Sequence, residues 1–282
     1  MTYNLMRGRY NCYEEKLKAN ENFRHSINIK SFNNRVDFVR ANLATIANHI
    51  RQYDPDIIAI QEVQESPSSI PNNNEISTAT YLAQLLDMTF TFSPTLFDYE
   101  VQMQYGTAIL VNHHRFRLIA VEILSLPLGL EPRNSPCLTI QPRNINITFR
   151  ACSIHFDHHP FDNTIRVQQA NTFIYWLTKG QYHPTILLGD FNANKTSVTL
   201  TNLYKYFFDD NSLENSRPTW SECGEILKDK IDYILFDRQS NWKIKHFLHG
   251  LNMKKLYSSI DITMLSDHVP LFAETILSVP IK

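Results

Sequence analysis

Seven short polar strings, each set against an apolar strand-like run, constrain this chain more than any other feature. In order they are Thr2-Tyr3-Asn4, Gln61-Glu62, Gly106-Thr107-Ala108-Ile109-Leu110, Ser153-Ile154-His155, Gly189-Asp190-Phe191-Asn192, Lys230-Ile231-Asp232-Tyr233 and Ser266-Asp267-His268. No one segment can build a site alone, so folding has to bring distant strand ends together. Asn4, Glu62, His155, Asp190, Asn192, Asp232, Asp267 and His268 would then form one set of oxygen donors and imidazoles. Such a set can hold a hard divalent cation and position water against a phosphate.

The rest of the chain reads as mixed α and β. Val36, Val39, Leu43, Ile46, Ala47 and Ile50 lie on one helical face over residues 35–53, and Asp54-Pro55-Asp56 stops that helix. Further helices are expected over 77–86, 161–178 and the start of 197–208. Strands are expected over 2–6, 57–60, 89–93, 107–112, 117–124, 137–140, 145–153, 185–188, 231–236, 243–247 and 270–276, where β-branched and apolar residues concentrate. Residues 7–34 and 66–74 lack apolar periodicity and read as loops. Strands outnumber helices, which suggests two mixed sheets packed face to face with helices outside, an α/β or α+β architecture. The strings span a 282-residue chain, so one domain over residues 1–282 is expected.

Composition removes some classes of function. The formal net charge is −1 and the pI about 6.8, which does not suit a strongly basic protein that tracks long polyanions. Cys12, Cys137, Cys152 and Cys223 show no zinc spacing. Cys137 and Cys152 read as buried thiols in a reducing compartment, with an oxidised pair as the alternative. No apolar run reaches the ~18 residues of a membrane span, and neither a span nor a leader is expected. A monomer is expected, cytoplasmic by default, with export left open.

The order and content of the seven strings resemble the endonuclease/exonuclease/phosphatase superfamily, from Thr2 to about Glu274. The resemblance implies a four-layer α/β sandwich, two packed mixed β-sheets flanked by helices. It implies a phosphoric ester hydrolase using Mg²⁺, with Mn²⁺ as an alternative. Asn4, Glu62 and Asp267 are the implied metal residues; His155, Asp190, Asn192, Asp232 and His268 are the implied catalytic ones. Asp190 and Asn192 would place water, Asp232 would orient His268, and His155 would meet the phosphate or the leaving oxygen. In some relatives a separate Glu orients this histidine, and Glu100 is the candidate by position. Arg166 would tie the His155 loop to the core. Arg133 and Trp220 are candidate substrate contacts.

The strings narrow the substrate less. Ile231-Asp232-Tyr233-Ile234 and Ser266-Asp267-His268-Val269-Pro270 look like the branch shared by DNases, abasic-site endonucleases, deadenylases and sphingomyelinases. A phosphodiesterase is therefore expected, with nucleic acid placed ahead of phospholipid. A basic face could come from Lys243, Lys245, Lys254 and Lys255. A phospholipid enzyme would need an apolar patch, for which Phe156, Pro160, Phe161, Tyr10 and Ile70 are candidates. A phosphatase and a non-catalytic binding module are the remaining alternatives.

Overall fold

The computed structural model describes residues 1–5, 35–67, 75–159, 163–221, 227–250 and 266–278. The first half of the chain supplies β1 (Thr2–Asn4), α1 (Arg35–Arg51), β2 (Ile57–Glu65), α2 (Thr78–Leu86), β3 (Thr89–Asp98) and β4 (Met103–Val111). Next come β5 (Phe116–Ser125), β6 (Asn134–Pro142), β7 (Phe149–His155), α3 (Thr164–Lys179) and β8 (Thr185–Asp190). The last part gives α4 (Val198–Leu203), β9 (Phe207–Phe208), β10 (Asp232–Asp237), β11 (Asn241–His249) and β12 (Leu271–Ser278).

The strands form two six-stranded sheets, ordered β11-β12-β1-β2-β4-β3 and β5-β6-β7-β8-β10-β9. Both follow one pattern. A central parallel pair, β1/β2 or β7/β8, is joined by a connection containing a helix, and all other neighbours are antiparallel. Parallel pairing requires such a crossover.

Alternation along the strands sorts the apolar residues into three cores. Ile58, Ile60, Ala108 and Leu110 face Leu43, Ile46 and Ile50 of α1 and Leu82 of α2. Their neighbours Ile57, Ala59, Ile109 and Val111 turn the other way and meet Ile186, Leu188, Ile234 and Phe236 between the sheets. Leu187, Tyr233 and Leu235 pack beneath Phe173 of α3 and Leu200 and Leu203 of α4. Three cores between helix, sheet, sheet and helix make the four-layer sandwich that the family resemblance implied.

Several boundaries differ from expectation, and pairing explains them. β2 runs on to Glu65 and β3 to Asp98 because both keep bonding to β4 across bulges. β7 begins only at Phe149, where pairing with β6 starts. The 197–208 segment is helical to Leu203 and ends in the short strand β9. Cys137 and Cys152 are buried as expected but are not thiols. They sit opposite each other on β6 and β7 and form a disulfide. Structural disulfides persist in oxidising compartments, so the expected reducing compartment loses the support that free thiols gave it. Cys12, Cys223 and the 7–34 loop lie outside the described residues. No helix among the described residues is long and apolar enough to cross a membrane.

Candidate active site

The two parallel pairs aim their carboxyl ends at one edge of the sandwich. In register, Asn4 lies beside Gln61, and His155 beside Asp190. β10 runs antiparallel to β8 and begins with Asp232 opposite Asp190. Asp267 and His268 lie just before β12, and His268 is bridged to Trp220. All eight residues singled out in the sequence therefore reach the same edge.

Two backbone features set the local geometry. Gly189 has φ 155°, and a Cβ there would stand 2.0 Å from the Ile154 carbonyl oxygen. Only glycine lets β7 and β8 approach closely enough to align His155 with Asp190. Glu62 was expected at the end of its strand. It sits instead within β2, at the bulge between Ile60 and Val63, with φ 55°. The bulge re-aims its carboxylate.

Asp190 is the hub. Its Oδ2 accepts from Asn4 Nδ2 at 3.1 Å and lies 3.8 Å from both His155 Nε2 and His268 Nε2. Its Oδ1 accepts from the Asn192 backbone at 2.8 Å. Asn4 Nδ2 also donates to Glu62 Oε1 at 3.1 Å, and that oxygen is 4.0 Å from His155 Nε2. Asn4 thus bridges Glu62 and Asp190. Asn192, with φ 47°, gives one amide hydrogen to the Phe156 carbonyl at 3.0 Å.

His268 Nδ1 lies 2.9 Å from Asp232 Oδ2, and its Nε2 lies 3.9 Å from Asp267 Oδ1. Trp220 Nε1 donates to Asp267 Oδ2 at 3.2 Å. Trp220, expected at the substrate, is thereby tied to a carboxylate. Arg133, also expected there, is buried behind His155, with Nη1 3.4 Å from His155 Nδ1 and Nη2 3.0 Å from His158 Nδ1. Glu100 does not orient His155. It is exposed in a turn, its backbone bonded to Asp98. Arg166 does tie the loop down, donating to the carbonyls of Asp157 at 3.1 Å and His159 at 2.7 Å.

The electrostatics follow from burial and crowding. Burial and then Asp232 push Asp190 up to about 7. Burial opposes a charge on His268, yet Asp232, Asp190 and Asp267 together raise it to about 10. Burial and the adjacent Arg133 hold His155 well below the ordinary histidine range. One imidazole is wired for charge and the other against it.

A divalent cation fits this donor set. Glu62, Asp190, Asp232 and Asp267 concentrate carboxylate oxygen, the ligand type Mg²⁺ and Mn²⁺ prefer. Asp232 Oδ1 is buried without a hydrogen-bond partner among the described residues. Asp190, Asp232 and His268, all buried, present atoms mutually within 4.8 Å.

Residues of the supporting shell carried little sequence signal. Gln61 Nε2 donates to Ser153 Oγ at 3.0 Å across the sheets, and its oxygen accepts from Thr2. Thr219 Oγ1 accepts from the backbones of Ile231 and Asp232, both at 3.1 Å. Ser266 Oγ donates to the Asn4 carbonyl at 2.7 Å, pinning the last string to the first. Gln61 and Ser266 belong to the strings themselves, whereas Thr219, beside Trp220, stands outside them.

A family model described as the Endonuclease/Exonuclease/phosphatase family matches residues 2–268. The chain belongs to this family. Membership makes it a phosphoric ester hydrolase of a family that typically works with divalent metal. Its fold is also that of solved structures. The human Nocturnin catalytic domain with bound sulfate aligns at TM-score 0.65 and 20% identity, over 85% of this chain and 86% of that one. A Bacteroides thetaiotaomicron mannosyl-6-phosphatase aligns at 0.63 and 18%, over 86% and 95%. Humanized D. rerio TDP2 aligns at 0.65 and 16%, over 99% and 97%. At these identities the likeness concerns the fold. No functionally curated protein matches the sequence.

Proposed function

We propose that this chain is a Mg²⁺-dependent phosphodiesterase that cleaves its substrate by in-line attack of water, with nucleic acid ahead of phospholipid as substrate. The observation that carries the reading is the convergence on Asp190 Oδ2 of His155 Nε2 and His268 Nε2, each at 3.8 Å, with Glu62 held alongside through Asn4.

Glu62, Asp267 and Asn4 would hold the ion, as the donor chemistry of the site suits. Bound there, Mg²⁺ would offset the charge that spreads over the phosphoryl oxygens. The chain supplies the rest. Asp190, raised towards neutrality, takes the proton of the attacking water. The second hydrogen of the Asn192 amide steadies that water or a phosphate oxygen. His268, kept positive by Asp232, stabilises an equatorial oxygen. His155 offers Nε2, 3.8 Å from the same Asp190 oxygen, to the phosphate.

A phosphodiester assayed with Mg²⁺ and then with EDTA tests the reading. Turnover should vanish with EDTA and in Glu62→Ala and Asp190→Ala; activity persisting through either change sinks it. For substrate class, the strings Ile231-Asp232-Tyr233-Ile234 and Ser266-Asp267-His268-Val269-Pro270 support a phosphodiesterase of the branch that nucleases and sphingomyelinases share. Of the four lysines of the expected basic face, Lys243 and Lys245 are exposed on β11, Lys245 pairing with Glu274 at 3.5 Å, and Lys254 and Lys255 lie outside the described residues.

One observation favours phospholipid instead. Leu128 and Leu130 are 69% and 55% exposed, on a loop bonded to Asp157 beside the site. Phe156, considered for such a patch, is fully buried, and Tyr10, Ile70, Pro160 and Phe161 lie outside the described residues. Turnover of single-stranded DNA, abasic duplex, poly(A), sphingomyelin and inositol phosphates, with vesicle co-sedimentation, separates these readings.

A further inference from the structure

We infer that Arg133 is a positioning residue: it locks His155 in the tautomer that carries its proton on Nε2, so that His155 works as a fixed hydrogen-bond donor and not as a proton-releasing acid. The mechanistic half of this inference rests on phosphodiester hydrolysis at the site; the tautomer itself does not.

The argument is one of donor and acceptor inventory. A guanidinium has five N–H donors, no acceptor, and does not deprotonate in proteins. Arg133 Nη1 faces His155 Nδ1 at 3.4 Å, and Nη2 faces His158 Nδ1 at 3.0 Å. A ring nitrogen facing such a group has to present its lone pair. For His155 this leaves the proton on Nε2. A doubly protonated ring would set Nδ1–H against a cation, with both side chains nearly sealed from water: 3% exposed for His155 and 2% for Arg133. Glu131 Oε2 lies 3.3 Å from the same Nη1 that faces His155, with its side chain 31% exposed; Nη1 carries two hydrogens, one for each neighbour, so the nitrogen still meets His155 as a donor.

The two histidines around Asp190 are therefore oriented by opposite partners. His268 Nδ1 meets a carboxylate, Asp232, at 2.9 Å. His155 Nδ1 meets a guanidinium. Both aim Nε2 at the same Asp190 oxygen from 3.8 Å. A carboxylate behind an imidazole supports proton exchange, whereas a cation behind it suppresses protonation and leaves a neutral dipole. His155 then stabilises a phosphate oxygen as charge grows there, and its proton stays on Nε2.

The test has a spectroscopic and a kinetic arm. Long-range ¹H–¹⁵N spectra of the ¹⁵N-labelled protein at pH 7 with Mg²⁺, assigned by comparison with His155→Gln, should show His155 protonated on Nε2 alone. A ring protonated on Nδ1, or on both nitrogens, overturns the inference. This arm needs no substrate, so it stands even if the phosphodiesterase reading fails. Arg133→Met should release the ring into mixed tautomers, while Arg133→Gln, which keeps an uncharged N–H donor, should hold the Nε2–H form. In the kinetic arm, His155→Gln should lower kcat by about 10²-fold, equally for 4-nitrophenyl and phenyl esters of the same phosphodiester. A loss tenfold or more greater with the poorer phenolate leaving group would assign proton transfer to His155 and overturn the inference. Arg133→Gln should retain most of kcat where Arg133→Met loses it; equal losses with an unchanged tautomer would also overturn it.

Discussion

His268 Nδ1 stands 2.9 Å from Asp232 Oδ2, with side chains 5% and 2% exposed. The carboxylate fixes the ring's tautomer and turns Nε2 towards Asp190. Asp232→Asn keeps the shape but removes the charge that favours the imidazolium. Losses of about 10²–10⁴-fold in kcat are expected, with little change in KM, because positioned acid–base groups supply about that much. Steady-state kinetics on a soluble phosphodiester would check this. A variant within threefold of wild type would remove Asp232 from the mechanism.

The crowded carboxylates also make a prediction that needs no turnover. Four acidic side chains at one edge repel one another until a cation binds, so Mg²⁺ should raise the unfolding midpoint and EDTA should reverse the gain. Ligand at about 100 times its Kd contributes about 2.7 kcal/mol. Glu62→Gln should remove most of this shift, as read by thermal or urea unfolding with and without the ion. An undiminished shift in that variant would move the cation elsewhere.

Much of the fold was legible because its signals are local. The helix at Arg35–Arg51 and the strands carrying Ile57–Ile60, Thr185–Leu188 and Ile231–Phe236 show their buried faces in the sequence. The site was legible as strings because each key side chain sits at or beside a strand end or turn with its own residue signature. What did not show was pairing across the chain. The bulge at Glu62 exists because β2 keeps bonding to β4 beyond it, and no local pattern announces that. The cross-strand pairing of Cys137 with Cys152 depends equally on register. Arg133 was visible as a candidate. That it faces the imidazole nitrogens of His155 and His158 is a three-dimensional fact.

Gly189 offers a test of how strictly the strand pair sets the site. Its φ of 155° and the 2.0 Å clash with the Ile154 carbonyl leave no room for a methyl group. Gly189→Ala should force β7 and β8 apart where His155 pairs with Asp190. Strain of this kind costs about 1–3 kcal/mol, and displacement of catalytic groups adds a loss of turnover. Urea unfolding and kcat should fall together. Full activity in a destabilised variant would show that the His155–Asp190 spacing is less critical than argued.

His249 links stability to pH away from the catalytic carboxylates. It is fully buried, 2.8 Å from the Pro218 carbonyl, and burial holds it down to about 4. In the unfolded chain it titrates near the ordinary value of about 6.5. Between those values the unfolded state binds more protons than the folded one, so stability is fully present above about 6.5 and drains away as pH falls towards 4. The largest loss this allows is about 3 kcal/mol. His249→Gln keeps a donor for Pro218 but cannot take up a proton. Urea unfolding in EDTA at pH 7 and pH 5 should show the wild type losing more stability than the variant. Parallel losses would mean that His249 takes up its proton as readily in the folded protein as in the unfolded chain.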